Sequence, residues 1–311
     1  MIKQRSAEYL AWFRFLHTEG LTPTARELIY RKICEKKITI AELFVISEFE
    51  FYELFPAFGT GELEHLTYQN FQATQTESIR KQFEDLYDDT FFIPYTHPCY
   101  PQRIKERLQA AAPSAFFARG HLPLVNNPSI AVLGSEEINA EEIKLTWRLC
   151  TYFARCGYNV ISNHTWGVAE HAHKSALIAD GTTVGIVPCG LSDFVVRTSI
   201  RKFGYEINSL WLSALPNERM SDAESINEHT KLIAAWSEAV IIVKSDHFKD
   251  QNTNARGLNE AGRFALDNGI PVFVPAKSTV GNYSLGNARL SRAGAKDFTH
   301  PKQIVNFIEK G

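Results

Sequence analysis

Ser129-Ile130-Ala131-Val132-Leu133-Gly134-Ser135 sets four apolar residues in a row and stops them at a glycine. An unbroken apolar run suits a parallel strand covered on both faces, and Gly134 lets the backbone turn tightly into a following helix. In doubly wound sheets that turn is where ligands sit. Here the next residues are Glu136 and Glu137, negative charge where a phosphate-binding loop is not expected to carry it. Outward from this strand the same unit repeats. Strands are expected at Ile130–Leu133, Asn159–Ser162, Thr183–Val187, Ile207–Leu212, Ala239–Val243 and Pro271–Pro275, with a short one at Lys296–Phe298. Helices are expected at Glu141–Cys156, Val168–Ala179, Phe194–Phe203, Ala223–Trp236, Gly257–Asn268 and Pro301–Glu309. This alternation predicts an α/β fold, a Rossmann-like and mostly parallel sheet with right-handed crossovers and helices on both faces.

The chain upstream differs. From Ala7 to about Leu86 it has helical periodicity, many aromatics and no convincing strand; Thr22 to Thr24 and Thr39 supply helix starts, with helices at Ala25–Cys34 and Thr39–Ile46. Residues 88–127 carry five prolines (Pro94, Pro98, Pro101, Pro113, Pro123) and read as an ordered connector. The expected organisation is a small all-helical domain over 1–87, a Pro-rich connector over 88–127 and a Rossmann-like domain over 128–311.

Composition bounds the class. The chain has 311 residues, 44% hydrophobic and 22% charged, which suits a soluble protein with a large core and two domains. It has no apolar run long enough to cross a bilayer and no signal-peptide core at its start, so the cytoplasm is the expected location. Five scattered cysteines without a Cys-x-x-Cys pair exclude a disulfide framework or zinc knuckle and read as reduced packing residues. A net charge of −2 removes the argument from global basicity for nucleic-acid binding, while leaving room for a local basic stripe.

Ordered motifs then give a resemblance. Tyr100-Pro101, Ala115-Phe-Phe-Ala-Arg-Gly120, Ile130–Ser135, Ser162-Asn-His-Thr-Trp-Gly-Val-Ala-Glu-His-Ala-His-Lys-Ser-Ala-Leu177, Gly181–Leu191 and Ser284-Leu-Gly-Asn-Ala-Arg-Leu-Ser-Arg-Ala-Gly-Ala295 together resemble the DNA-processing protein A (DprA/Smf) family over about residues 98–309. In the second long motif the family pattern keeps Ser162, Gly167, Ala172, His173, Ala176 and Leu177; in the last it keeps Gly286 and Asn287, with one residue fewer between them. There are departures. Glu136 stands where the family has the arginine of Gly-Ser-Arg, and Asn163 and Ala169 replace a glycine and an aspartate. His229-Thr-Lys231 replaces Arg-Asn-Arg, leaving Lys231 as the fixed charge. Arg256–Gly262 replaces a Ser-Gly-Ser-Leu-x-Thr-Ala pattern after a polar insertion around 246–255. The chain also stops directly after the last expected helix, without the winged-helix tail that many members carry.

The resemblance implies a protein that holds single-stranded DNA at the C-terminal edge of its sheet and helps load a RecA-type recombinase, without being an enzyme, and that associates as a homodimer. The expected DNA-contacting residues are Ser135, Glu136, Ser162, Gly167, His173, Lys174, Arg197, Arg201, Lys202, Lys231, Arg256, Gly286, Asn287 and Arg289. Arg197, Arg201 and Lys202 share one expected helix, the first two four residues apart and hence on one face. For any single cation a solvated helix face is the competing reading.

No catalytic constellation is visible: there is no Gly-x-Ser-x-Gly elbow, no His-Glu-x-x-His, no phosphate loop and no dinucleotide fingerprint. Glu170, His171 and His173 do not make a metal site, because one helical turn cannot aim i+1 and i+3 at one ion. No cofactor or metal is expected. Two other functions stay open: a DprA-like antitoxin or antiphage-defence component that restrains a cognate toxin, favoured by the lost arginines, and a sensor of a small nucleotide in the strand-end crevice.

Overall fold

The computed structural model describes residues 7–86, 89–192, 194–203, 205–216, 220–221, 223–245, 253–279 and 284–310. The polar insertion read at 246–255 lies largely outside them. The chain divides into two compact units, Met1–Tyr100 with Ile104–Phe116, and Pro101–Arg103 with Phe117–Gly311.

The first unit carries six helices among its described residues before residue 86: α1 Ala7–Leu16, α2 Pro23–Lys36, α3 Ile40–Leu43, α4 Glu48–Leu54, α5 Tyr68–Ala73 and α6 Glu77–Glu84. Side-chain caps start several of them. Thr22 accepts from the Ala25 N–H, and Thr39 and Ser47 each form a capping box with a glutamate three residues on. Trp12, Phe15, Phe51 and Phe71 are fully buried, so the aromatic stripes are core. Residues 88–127 hold β1 Phe91–Pro94, α7 Gln102–Leu108 and β2 Ala115–Gly120, regular elements that Pro-rich composition conceals. Tyr100 is buried, its hydroxyl donating to the Pro113 carbonyl at 2.7 Å.

The second unit alternates strand and helix: β3 Ser129–Leu133, α8 Ala140–Arg155, β4 Asn159–Ser162, α9 Val168–Ile178, β5 Thr183–Ile186, α10 Thr198–Arg201, α11 Tyr205–Asn208, β6 Ser209–Ser213, α12 Ala223–Trp236, β7 Ala239–Ile242, α13 Thr253–Asp267, β8 Val272–Pro275, α14 Leu285–Arg292, β9 Lys296–Phe298 and α15 Pro301–Ile308. Among the described residues of this unit the strand order is β2-β6-β5-β4-β3-β7-β8-β9, with β2 entering it from Phe117. Pairings from β6 through β9 are parallel, while β2 lies antiparallel to β6 over Phe117–Gly120. Every residue of β3 is buried, as expected of a central strand covered on both faces. Ile130 and Val132 pack with Leu149, Phe153, Ala172, Ile241 and Ile304 on one side of the sheet.

Three expectations change. The helix expected over Phe194–Phe203 is the four-residue α10, because Arg197 is held in extended geometry (φ −54°, ψ 138°) by its hydrogen bonds to the loop after β4. The strand expected from Ile207 starts at Ser209, since Tyr205–Asn208 closes a helical turn. The helix expected over Thr39–Ile46 is the four-residue α3, Ile40–Leu43, after which the Phe44 and Val45 N–H groups turn to carbonyls three residues back. The cysteines also differ from expectation: all five are free, but only Cys150 is buried, and Cys34 and Cys156 are exposed. Among the described residues no helix is long and apolar enough to cross a membrane.

Candidate nucleic-acid interface

Parallel pairing sets the geometry. With Ala131 beside Ile161 and Ile161 beside Val184, the loops that leave β3, β4 and β5 emerge side by side. The first two are locked together. Gly167 caps α9 at φ +66° and ψ −122°, and a Cβ there would overlap the carbonyl oxygens of Ser135 and Glu136. Only glycine permits this approach. It brings the Val168 N–H to the Ser135 carbonyl at 3.2 Å, while the Ser135 N–H donates to the Lys244 carbonyl at 3.0 Å.

Beneath the loops lies a buried polar frame. Ser162 is fully buried and donates to the Val132 carbonyl at 2.7 Å. His173, read from sequence as DNA-contacting, is also fully buried, with Nε2 2.8 Å from the Asn163 carbonyl and Nδ1 2.6 Å from the Thr183 hydroxyl. A carbonyl can only accept, so Nε2 carries a proton, while the Thr183 hydroxyl, itself donating to the Val160 carbonyl at 2.7 Å, stands against Nδ1. Burial pushes this imidazole down to about 4. Ser162 and His173 therefore hold the loop in place rather than touch a ligand. His164 sits above them between Phe194 and Trp211, pushed down to about 3 by burial and then by the Arg197 charge.

The exposed layer combines charge with one aromatic. The Arg197 guanidinium lies 4.2 Å over the Trp166 ring and donates through Nη1 to the Thr165 carbonyl at 2.9 Å. Trp166 itself is 57% exposed. Lys174 pairs with Glu170 at 2.7 Å, and the same carboxylate accepts from Ser199 at 2.6 Å. Burial alone would raise Glu170; the hydrogen bonds from Lys174 and Ser199, with the charges of Lys174 and Arg197, bring it below its ordinary value. Burial lowers Arg197 from its ordinary value while the charges of Glu170 and Glu136 act against the shift, so Glu136 and Arg197 are electrostatically coupled. Arg201 and Lys202, at the end of α10, are exposed and have no ion-pair partner among the described residues. Lys174 and Arg197 thus act on two carboxylates, Glu170 for both and Glu136 for Arg197, while Arg201 and Lys202, among the described residues, carry uncompensated charge at the end of α10.

The remaining residues predicted from sequence are not part of this group. Gly286 and Asn287 are buried in α14 on the other half of the sheet. The Gly286 N–H donates to the Ser245 carbonyl, and Asn287 Nδ2 donates to the Val243 carbonyl at 3.0 Å, tying α14 to the end of β7. Arg289 is exposed on α14 and lines a groove of about 270 Å³ with Asn259, Arg263, Leu290 and Ala293. Lys231 pairs with Glu228 at 2.7 Å and lies about 12 Å along α12 from its start, at 1.5 Å per residue. Arg256 falls within α13, its side chain outside the described part. Sequence reasoning missed Trp166, although it directly precedes Gly167 in the quoted motif and is the one aromatic between Ser162 and Gly167. Among the described residues no group of three or more His, Cys, Asp or Glu side chains could hold a metal ion.

The chain is similar to known proteins in sequence and in fold. Protein Smf of Escherichia coli (strain K12) is 25% identical over 223 residues, 70% of this chain, and the chain accounts for 57% of that relative's length. The solved structure of DNA processing protein A from Streptococcus pneumoniae is similar over 97% of both chains, with a TM-score of 0.73 at 17% identity. That of DNA processing protein A from Helicobacter pylori, described for its single-stranded DNA binding mode, is similar over 71% of this chain and 96% of its own, with a TM-score of 0.58 at 24% identity. The two structures share the fold. The model of the family described as DNA recombination-mediator protein A matches residues 91–309, from β1 through α15. The chain belongs to the DNA recombination-mediator protein A family.

Proposed function

We propose that this protein is a recombination mediator that holds single-stranded DNA against the loops following β4 and β5 and passes it, as a homodimer, to a RecA-type recombinase. The observation that carries the reading is the row of Arg197, Arg201 and Lys202, of which the last two are free to follow phosphates. Cations along an edge, with an aromatic beside them, are what non-specific single-strand binding requires. Family membership supports the recombinase partner. The dimer rests on the same membership; Ile304 and Val305 are committed to the protein's own core, which leaves Phe307, 40% exposed, on the C-terminal helix for such a contact. Light scattering at tens of micromolar, a concentration set by ordinary dimer affinities, tests it.

A second reading has its own observation. Val195, Phe203 and Ile207 are exposed apolar residues beside the same row, and Glu136 and Glu137 oppose a phosphate, which favours docking of a protein such as a cognate toxin on this edge. Titration of a labelled oligothymidine over a salt series separates the two. The DNA reading expects single strands to bind more tightly than duplex, with affinity falling as salt rises. Replacing Arg201 and Lys202 together by glutamate should reduce the magnitude of the log–log salt slope by about 1.4, at roughly 0.7 per phosphate contact. Absence of binding at low salt would overturn it.

A further inference from the structure

We infer that the outward face of Trp166 is a stacking platform for one nucleobase of a bound single strand, with Arg197 as its rigid backing. This rests on the reading of this edge as a single-strand interface. Trp166 departs from the behaviour of the chain's other tryptophans. Trp12, Trp211 and Trp236 are buried, and Trp147 is half-buried with its Nε1–H donating to His171 Nδ1 at 2.9 Å. Trp166 alone among them is more than half exposed. Its exposure is imposed by the loop: the next residue, Gly167, is wedged against the Ser135 and Glu136 carbonyls, and Val168 is bonded to Ser135. The ring cannot fold back into the core without breaking that lock.

Arg197 then occupies one face of the ring at 4.2 Å and is pinned by the Thr165 carbonyl. Its charge is shared with Glu170 and Glu136, so it is a poor phosphate neutraliser and a good clamp. A ring held flat from behind loses little entropy when a second π-system stacks in front. The chemistry that fits is a planar base of any identity, because every base offers a π-face. The geometry divides the work: Arg201 and Lys202 supply the salt-dependent part of binding, and Trp166 supplies a salt-independent part that offsets the negative charge of Glu136.

The test uses the full chain, oligothymidine, and an abasic oligomer of equal phosphate count. Oligothymidine should quench tryptophan emission, and the abasic oligomer should not. Trp166→Ala should weaken oligothymidine binding by about 5- to 150-fold at every salt concentration, the range that loss of one base–aromatic stack implies, with the salt slope unchanged. Trp166→Phe should recover much of the loss, and neither variant should alter abasic binding. If Trp166→Ala binds oligothymidine as the parent does, or loses both oligomers equally, or changes only the slope, the platform is refuted while the single-strand reading survives. If the folded parent binds neither oligomer, both fall together.

Discussion

Gly167→Ala tests the lock between the β3 and β4 loops. The residue sits at φ +66° and ψ −122°, a region that side chains avoid at a cost of about 1–3 kcal/mol. The added Cβ would also overlap two carbonyl oxygens and stand 2.7 Å from the Glu136 carbonyl carbon. Relief requires the Ser135–Glu136 segment to move, which breaks the Val168-to-Ser135 hydrogen bond and costs about 0.5–1.5 kcal/mol more. Alanine restricts the unfolded chain, a gain of about 0.4–1 kcal/mol that applies only where the native backbone accepts it. The net expectation is a destabilisation of about 2–4 kcal/mol, or roughly 4–16 °C in Tm at about 2–4 °C per kcal/mol. Gly157→Ala is the control: φ is +82° there, but nothing lies within 4 Å of its Cβ, so only the backbone cost of about 1–2 kcal/mol remains. Urea unfolding of both variants isolates the close approach. Equal destabilisation of the two would refute the locked geometry, and with it the argument for why Trp166 stays exposed.

Three further outcomes are expected. His164, His173 and His229 are held neutral by burial, at about 3, 4 and 4, below the unfolded value near 6.5, so the unfolded chain binds more protons between these limits. Stability should therefore be fully present above about pH 6.5 and be lost as pH falls toward 4, at up to about 1.4 kcal/mol per unit for each histidine; a flat denaturation midpoint over this window would contradict the buried neutral rings. Glu136→Gln should tighten oligonucleotide binding by about 2- to 10-fold by releasing Arg197 from a counter-charge, and Glu136→Arg should tighten it further, whereas Lys231→Glu should leave it within about twofold because that lysine is already paired and remote along α12. A fragment of residues 117–311 should unfold cooperatively by circular dichroism, because it keeps the β2 residues that pair with β6; a molten fragment would place the boundary elsewhere.

The parallel sheet was legible because its signal is local. A strand buried on both faces reads as a near-continuous apolar run, and Ile130–Leu133 and Ala239–Val243 declare themselves without reference to anything distant. The helix start at Thr39 is equally local, since the cap and Glu42 lie three residues apart. The regular elements in 88–127 escaped because proline-rich stretches mask strands such as β2, which is held by pairing with β6, almost 100 residues away, rather than by its own pattern.

The site divides the same way. Sequence by itself determined the family motifs, the presence of Gly167 and His173 in one of them, and the acid at position 136. Which of the cations face a ligand was decided by the tertiary structure. Arg197 was read as a helical residue. It is an extended cap whose guanidinium crosses to the β4 loop and covers Trp166, a contact between residues 31 positions apart that only the β4–β5 pairing brings together. Lys231 looked like the surviving family charge, and its place along α12 with Glu228 one turn before it removes it from that group. Local periodicity encodes what each segment becomes; strand order and close backbone approach encode which loops meet, and neither is written within any one segment.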